Sequence, residues 1–182
     1  MEVSVAKIFV WYPTFQKPQG GIPKSASDAT RKALSGIENV GHAAIQLEDG
    51  TYISWWPDTN VDEDFRSPGF SANSYQDDVR SEGSAPGFEQ QIEGLEEGVM
   101  RSWWTRVSLT GFAIPFTFDN NPKTPNFDLR NTNCSSIVSI ALHLGNADKI
   151  LPFPRFDLMT PLHIAAWAKT AGALQAVKKI RF

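Results

Sequence analysis

The chain is short of the residues on which several common chemistries depend. It has one cysteine, Cys134, so no internal disulfide can form and oxidation plays no part in holding the fold. Its three histidines, His42, His143 and His163, are scattered, and with a single thiol they make no zinc set. No apolar run approaches the roughly 18 residues of a membrane span, so stable membrane insertion is not expected. The N-terminus carries Glu2 and Lys7 and no small-residue cleavage pattern, unlike a secretory signal peptide, which leads us to expect a soluble chain, cytoplasmic as made. Basic residues do not exceed acidic ones: 17 Lys and Arg against 20 Asp and Glu leave a net charge of −3, no footprint for nucleic acid or an anionic membrane. Nothing in the sequence calls for a metal or a cofactor. Asp58, Asn60, Asp62 and Asp64 have the spacing of a calcium loop, but Glu63 stands where that loop needs glycine and Gly69 where it needs a bidentate glutamate.

What is present is an ordinary globular balance, 41 % hydrophobic and 20 % charged over 182 residues, expected to form one α+β domain spanning residues 1–182. Val3–Tyr12 reads as a strand apolar on both faces and therefore central. Gln16–Ser27, with Gly20-Gly21 and two prolines, reads as loop, and Asp28–Leu34 as a short helix capped by Asp28. Asp58–Gly87 has few aliphatic residues and reads as a long loop of the kind that borders a site. Phe88, Ile92, Leu95 and Val99 recur at helical spacing, although Gly94 and Gly98 weaken such a helix. Arg106–Phe112 reads as strand, Ile114–Leu129 as extended loop, Ser135–Leu144 as a helix ending at Gly145, and Thr160 to about Lys178 as the last helix. Thr160-Pro161-Leu162-His163 matches an ankyrin-repeat start, but it occurs once and without periodicity. It is read as helix-start chemistry, with His163 bonding back to the Thr160 cap.

Two stretches carry the chemistry. Gly41–Pro57, GHAAIQLEDGTYISWWP, has the form of a β-hairpin with a histidine on its first strand. A two-residue turn at Asp49-Gly50 would place Ser54 on the far face from His42. A three-residue loop at Glu48-Asp49-Gly50, with Gly50 left-handed, would set Trp56 opposite His42 and Ser54 diagonal to it on the same face. On this strand only one of Trp55 and Trp56 can face the core, which leaves the other free to line a substrate cleft. The second stretch, Asn133-Cys134-Ser135-Ser136-Ile137-Val138, puts the thiol at a helix start, where unpaired amides and the helix dipole favour a thiolate. The Cys134 amide and the Asn133 side chain are candidate oxyanion donors there. Taken singly, a histidine in a hairpin or a lone cysteine is more often structural than catalytic. His143 lies nine residues after Cys134, about half a turn round an ideal helix, and so faces away.

Together the two stretches resemble the circularly permuted papain-like cysteine enzymes, the group of permuted NlpC/P60 hydrolases and lecithin:retinol acyltransferase-like enzymes. In that group the histidine strand comes first and a short Asn-Cys motif opens a later helix, as His42 and Asn133-Cys134 do here. The resemblance implies a permuted papain-like fold, with a small antiparallel sheet packed against the cysteine helix. It implies Cys134 as nucleophile, His42 as general base and Ser54 in the third position, where the acyltransferase-like branch has a second histidine. The departure at Ser54 leans the reading toward a hydrolase: a cysteine amidase or peptidase working through a thioester. By resemblance its substrate is a peptide, the peptidoglycan stem first among them, with Trp55 and Trp56 as substrate-binding candidates. Cell-wall attack without a signal peptide implies a signal-independent route, such as that of a type VI secretion effector with delivery and immunity partners. An acyltransferase or deamidase using the same pair, and a non-catalytic binding module, are the alternatives.

Overall fold

A computed structural model describes residues 4–13, 41–57, 66–71, 74–110, 126–128, 132–154 and 159–180. The expected loop at Gln16–Ser27 and helix at Asp28–Leu34 lie outside the described residues, as does most of Ile114–Leu129. The described architecture is α+β, with a small antiparallel sheet and four α-helices. Strand β1 (Val5–Trp11) lies between β2 (His42–Gln46) and β6 (Phe88–Glu93), and β3 (Tyr52–Ile53) pairs with the outer side of β2. The four-stranded order β3-β2-β1-β6 gives β1 the interior place that its two apolar faces require. A smaller sheet, β4-β5-β7, is formed by Trp55–Pro57, Arg66–Ser71 and Asn126–Asp128.

The two faces of the larger sheet are covered unequally. Ala6, Ile8 and Val10 on β1, with Ala43, Ile45, Ile53 and Ile92, form the main core. Over this face lie helices α2 (Glu97–Thr110), α3 (Cys134–Leu144) and α4 (Pro161–Ile180). The opposite face shows Phe9, Trp11, Ala44 and Tyr52, covered by Tyr75 and Val79 of the short helix α1 (Tyr75–Glu82). His42, Ala44 and Gln46 alternate onto this second face, so the histidine sits on the side of the sheet that α1 covers.

Three assignments differ from the sequence reading. Phe88–Glu93 is a strand rather than the start of a helix: Gly94, at φ +75, ends it and donates its amide to Ser4, and the helix begins only at Glu97. Arg106–Thr110 is the last part of α2 rather than a strand, because Met100, Trp103, Trp104 and Val107 fall at helical spacing and are all buried. Residues 58–87 are not simply a loop, since they hold both β5 and α1.

The hairpin turn is the three-residue form. Ile45 pairs with Ile53 and Gln46 with Tyr52, the Leu47 amide donates to Thr51 at 2.9 Å, and Gly50 takes φ +88. Its tip is tied to α2, where Glu97 accepts from the Glu48 amide at 2.8 Å and Arg101 pairs with Asp49. Beyond Ile53 the chain leaves β2 at Ser54 and pairs instead with β5, Trp55 facing Ser71. Gly41 begins the hairpin at φ +75, and a Cβ there would lie 2.4 Å from the carbonyl oxygen of Trp11. Gly41→Ala should therefore cost about 2 kcal/mol or more. Gly50→Ala, whose Cβ meets nothing, should cost only about 1 kcal/mol. Chemical denaturation of the two variants checks the contrast.

Candidate active site

Cys134 is placed by its helix cap. Asn133 has extended backbone, its side-chain oxygen accepts from the Ser136 amide at 2.9 Å, and its Nδ2 donates to the Met159 carbonyl at 3.0 Å. These two bonds fix where α3 begins, and α3 packs against β2. The thiol is thereby brought beside His42, where the charge of each group acts on the other. The Ala43 amide of β2 also acts on the sulfur to lower the thiol, and Ser135 Oγ lies 3.8 Å from it. Both reactive groups are enclosed, His42 being 2 % exposed and Cys134 7 %.

The far side of the imidazole is held by a carboxylate. His42 Nε2 lies 2.9 Å from Ser54 Oγ and 3.0 Å from Asp78 Oδ2. Ser54 donates its hydroxyl to Asp78 Oδ1 at 3.0 Å, so the bond from Nε2 must come as an N–H shared between the serine and the carboxylate. Nδ1 is then the nitrogen left for the thiol. Trp56 stacks on the ring, with centroids 4.3 Å apart and planes at 23°, while Trp11 leans on it at 5.5 Å.

Asp78 is the residue that the sequence reading missed. It is wholly buried and also accepts from Tyr52 OH at 2.6 Å and Trp56 Nε1 at 2.6 Å. Each carboxylate oxygen thus has two donors, Ser54 and Trp56 on Oδ1, His42 and Tyr52 on Oδ2, which fills the roughly four acceptor positions of the group. A signal for it existed. Ser74 caps α1, accepting from the Asp77 amide and bonding the Asp77 carboxylate, a capping pattern readable as Ser-x-x-Asp. A helix started there puts Tyr75, Asp78 and Val79 on one face, a carboxylate between two apolar residues.

The site residues expected from sequence are thus only partly together. His42, Cys134 and Ser54 are in one network, and Trp56 belongs to it through its ring and its N–H. Trp55 points to the other face, where it is buried in the main core with its ring edge-on to Trp104 at 6.1 Å. The Asn133 side chain caps α3 and anchors Met159 rather than standing ready for an oxyanion. His143 pairs with Asp148 at 2.9 Å, and His163 Nδ1 accepts from the Thr160 amide at 3.3 Å; neither belongs to the network around His42. Among the described residues no group of His, Cys, Asp and Glu is arranged to hold a metal, and no helix is long and apolar enough to cross a membrane.

The electrostatics favour a charged pair. Burial acts to keep His42 neutral, but the charge of Cys134 and the bond to Asp78 outweigh it and hold the ring protonated up to about pH 10. Burial likewise opposes ionisation of Cys134. The His42 charge and hydrogen bond, with the Ala43 amide and Ser135, overcome that and bring the thiol below its ordinary value. Asp78 is also lowered: its burial opposes ionisation, and His42, Tyr52 and Trp56 more than compensate. These directions favour a thiolate beside an imidazolium, backed by a carboxylate.

Residues 69–179 match the family model described as the IcsB middle domain, more than half of the chain. The chain belongs to that family. The matched stretch contains Asp78 and Cys134, while His42 lies ahead of it. No curated protein and no solved structure matches the chain.

Iodoacetamide should alkylate Cys134 with a half-maximal rate at a pH below 9. His42→Ala should raise that midpoint, because burial is then opposed only by the Ala43 amide and Ser135, and should slow alkylation at pH 7 by about tenfold or more. Rates measured from pH 5 to 10 check both.

Proposed function

We propose that this member of the IcsB middle domain family is a cysteine acyl-transfer enzyme with a permuted papain-like fold, cleaving an amide bond through a thioester on Cys134. One observation carries the reading: a buried thiol beside a buried imidazole, with the imidazole backed by a carboxylate whose every acceptor position is filled. The order of the parts, a histidine strand followed by a cysteine-opened helix packed on it, supports the permuted arrangement.

The charges suggest how the two halves of the reaction use one histidine. The Cys134 thiolate attacks the carbonyl carbon, and the His42 imidazolium gives its proton to the leaving amine as the C–N bond breaks. Forming the thioester removes the thiolate charge, which is the strongest influence raising the basicity of His42. The ring becomes a neutral base at the point where the incoming nucleophile has to lose a proton. Asp78 keeps the imidazole in one tautomer and one orientation through both steps. With no free acceptor position, it stays a carboxylate and does not take the proton from Nε2. The Ala43 and Cys134 backbone amides beside the sulfur are the nearest candidates for donors to the oxyanion.

Hydrolysis of a peptide, with the peptidoglycan stem as the first substrate to assay, follows from the resemblance of the two motifs. A second reading gains weight from Asp78. The preference for hydrolysis over transfer rested on Ser54 standing in the third position, and Asp78 supplies that role from another element. A target of the cell wall would still require a signal-independent secretion route and its partners.

Mass analysis after incubation with purified cell-wall fragments and with candidate protein acceptors separates the readings: cut stem peptides, ammonia without chain cleavage, or a transferred acyl group. Cys134→Ala should abolish every product. Asp78→Asn should lower turnover by about 10²–10⁴-fold, and Ser54→Ala by about tenfold, since the serine contributes one neutral bond of roughly 0.5–1.5 kcal/mol. A Cys134→Ala protein that still forms product would end the proposal.

A further inference from the structure

Asp78 receives more donors than it needs for orienting a histidine. Ser54 alone would align the carboxylate with the ring, since it bonds both His42 Nε2 at 2.9 Å and Asp78 Oδ1 at 3.0 Å. Tyr52 and Trp56 add bonds at 2.6 Å, both shorter than the 3.0 Å contact between Asp78 and His42 itself. Short donors to a buried carboxylate draw negative charge away from the oxygens that face the imidazole. An undamped buried aspartate would bind the imidazolium more strongly. It would also oppose the return of His42 to the neutral form once Cys134 has been acylated.

We propose that Tyr52 and Trp56 are positioning residues that moderate Asp78, holding back its pull on His42 so that the ring can act as base in the second half of the reaction. The inference rests on the acyl-transfer reading and deepens it. The two donors come from different strands and act on different oxygens, Tyr52 on Oδ2 and Trp56 on Oδ1. Trp56 does a second thing, because its ring stacks on the imidazole while its N–H bonds the carboxylate, fixing the two groups as one unit. The ionisable groups acting on His42 are Cys134 from α3 and Asp78 from α1; Tyr75 and Asp77 of α1 act on Tyr52.

The test removes the donors while keeping the rings, in the full chain carrying Cys134→Ala. That variant lacks the thiolate charge, as the acyl-enzyme does. The titration of the His42 ring is followed by NMR of its imidazole nitrogens. Adding Tyr52→Phe or Trp56→Phe should raise the His42 midpoint by about half a pH unit or more, whereas adding Asp78→Asn should lower it. The opposite sign is what a merely structural role cannot produce, since loosening Asp78 would move His42 in the same direction as Asp78→Asn. A downward shift or no shift with both ring variants overturns the proposal. Tyr52 is buried against Phe9, so Trp56→Phe, which keeps the stacking ring at a half-buried position, decides the sign if Tyr52→Phe does not fold. Failure of the underlying reading looks different. If Cys134 in the unmodified chain reacts with iodoacetamide no faster than free cysteine, the acyl-transfer reading fails and takes the proposal with it.

Discussion

Asp78 takes its four hydrogen bonds from three strands: His42 on β2, Tyr52 on β3, Trp56 on β4, and Ser54 at the point where the chain passes between the last two. A carboxylate enclosed without donors would carry a large desolvation cost. Here the cost is offset bond by bond, and the price is geometric: all four donors have to converge on one buried group. The hairpin register, the departure of the chain from β2 at Ser54, and the docking of α1 over the aromatic face each supply one condition for that convergence. The reactive pair inherits its orientation from the same set of bonds.

The pair itself is a balance between burial and charge. Burial opposes both the thiolate and the imidazolium, and neither would persist alone at these positions. Each is the main reason that the other is charged. Their attraction strengthens as water is excluded, which offsets part of what enclosure costs each charge. The backbone enters through the Ala43 amide, whose strand carries His42 as well, so one element bonds both members of the pair.

Much of this was readable where local chemistry is decisive. Gly50 in Glu48-Asp49-Gly50 is suited to the left-handed position of a three-residue turn, and that register brings Ser54 and Trp56 onto the His42 face. Asn133 marks the start of α3 and so the place of the thiol. The reading failed where the tertiary partner decides. Phe88, Ile92, Leu95 and Val99 imitate a helix, yet the glycine at position 94, which counted only as a weakness in that helix, is the left-handed break between β6 and the turn before α2. Asp78 falls inside Asp58–Gly87, which reads as a long loop bordering a site, and its role is not legible there because its four donors are distant in sequence, at 42, 52, 54 and 56. Trp55 and Trp56 are equivalent by composition; strand alternation separates them, and only the packing partner says which face is which.

Ser54 is the last residue before the chain changes partners, from β2 in the larger sheet to β5 in the smaller one. The consequence concerns folding. The thiol at 134, the imidazole at 42 and the carboxylate at 78 are joined only through contacts far apart along the chain, and those are the contacts that loop-closure entropy makes slow to form. Helix α3 can nucleate locally, but its cysteine has an ordinary thiol until the hairpin and α1 have both arrived. An unfolded or partly threaded chain therefore carries an ordinary thiol, and the activated pair comes with the completed fold.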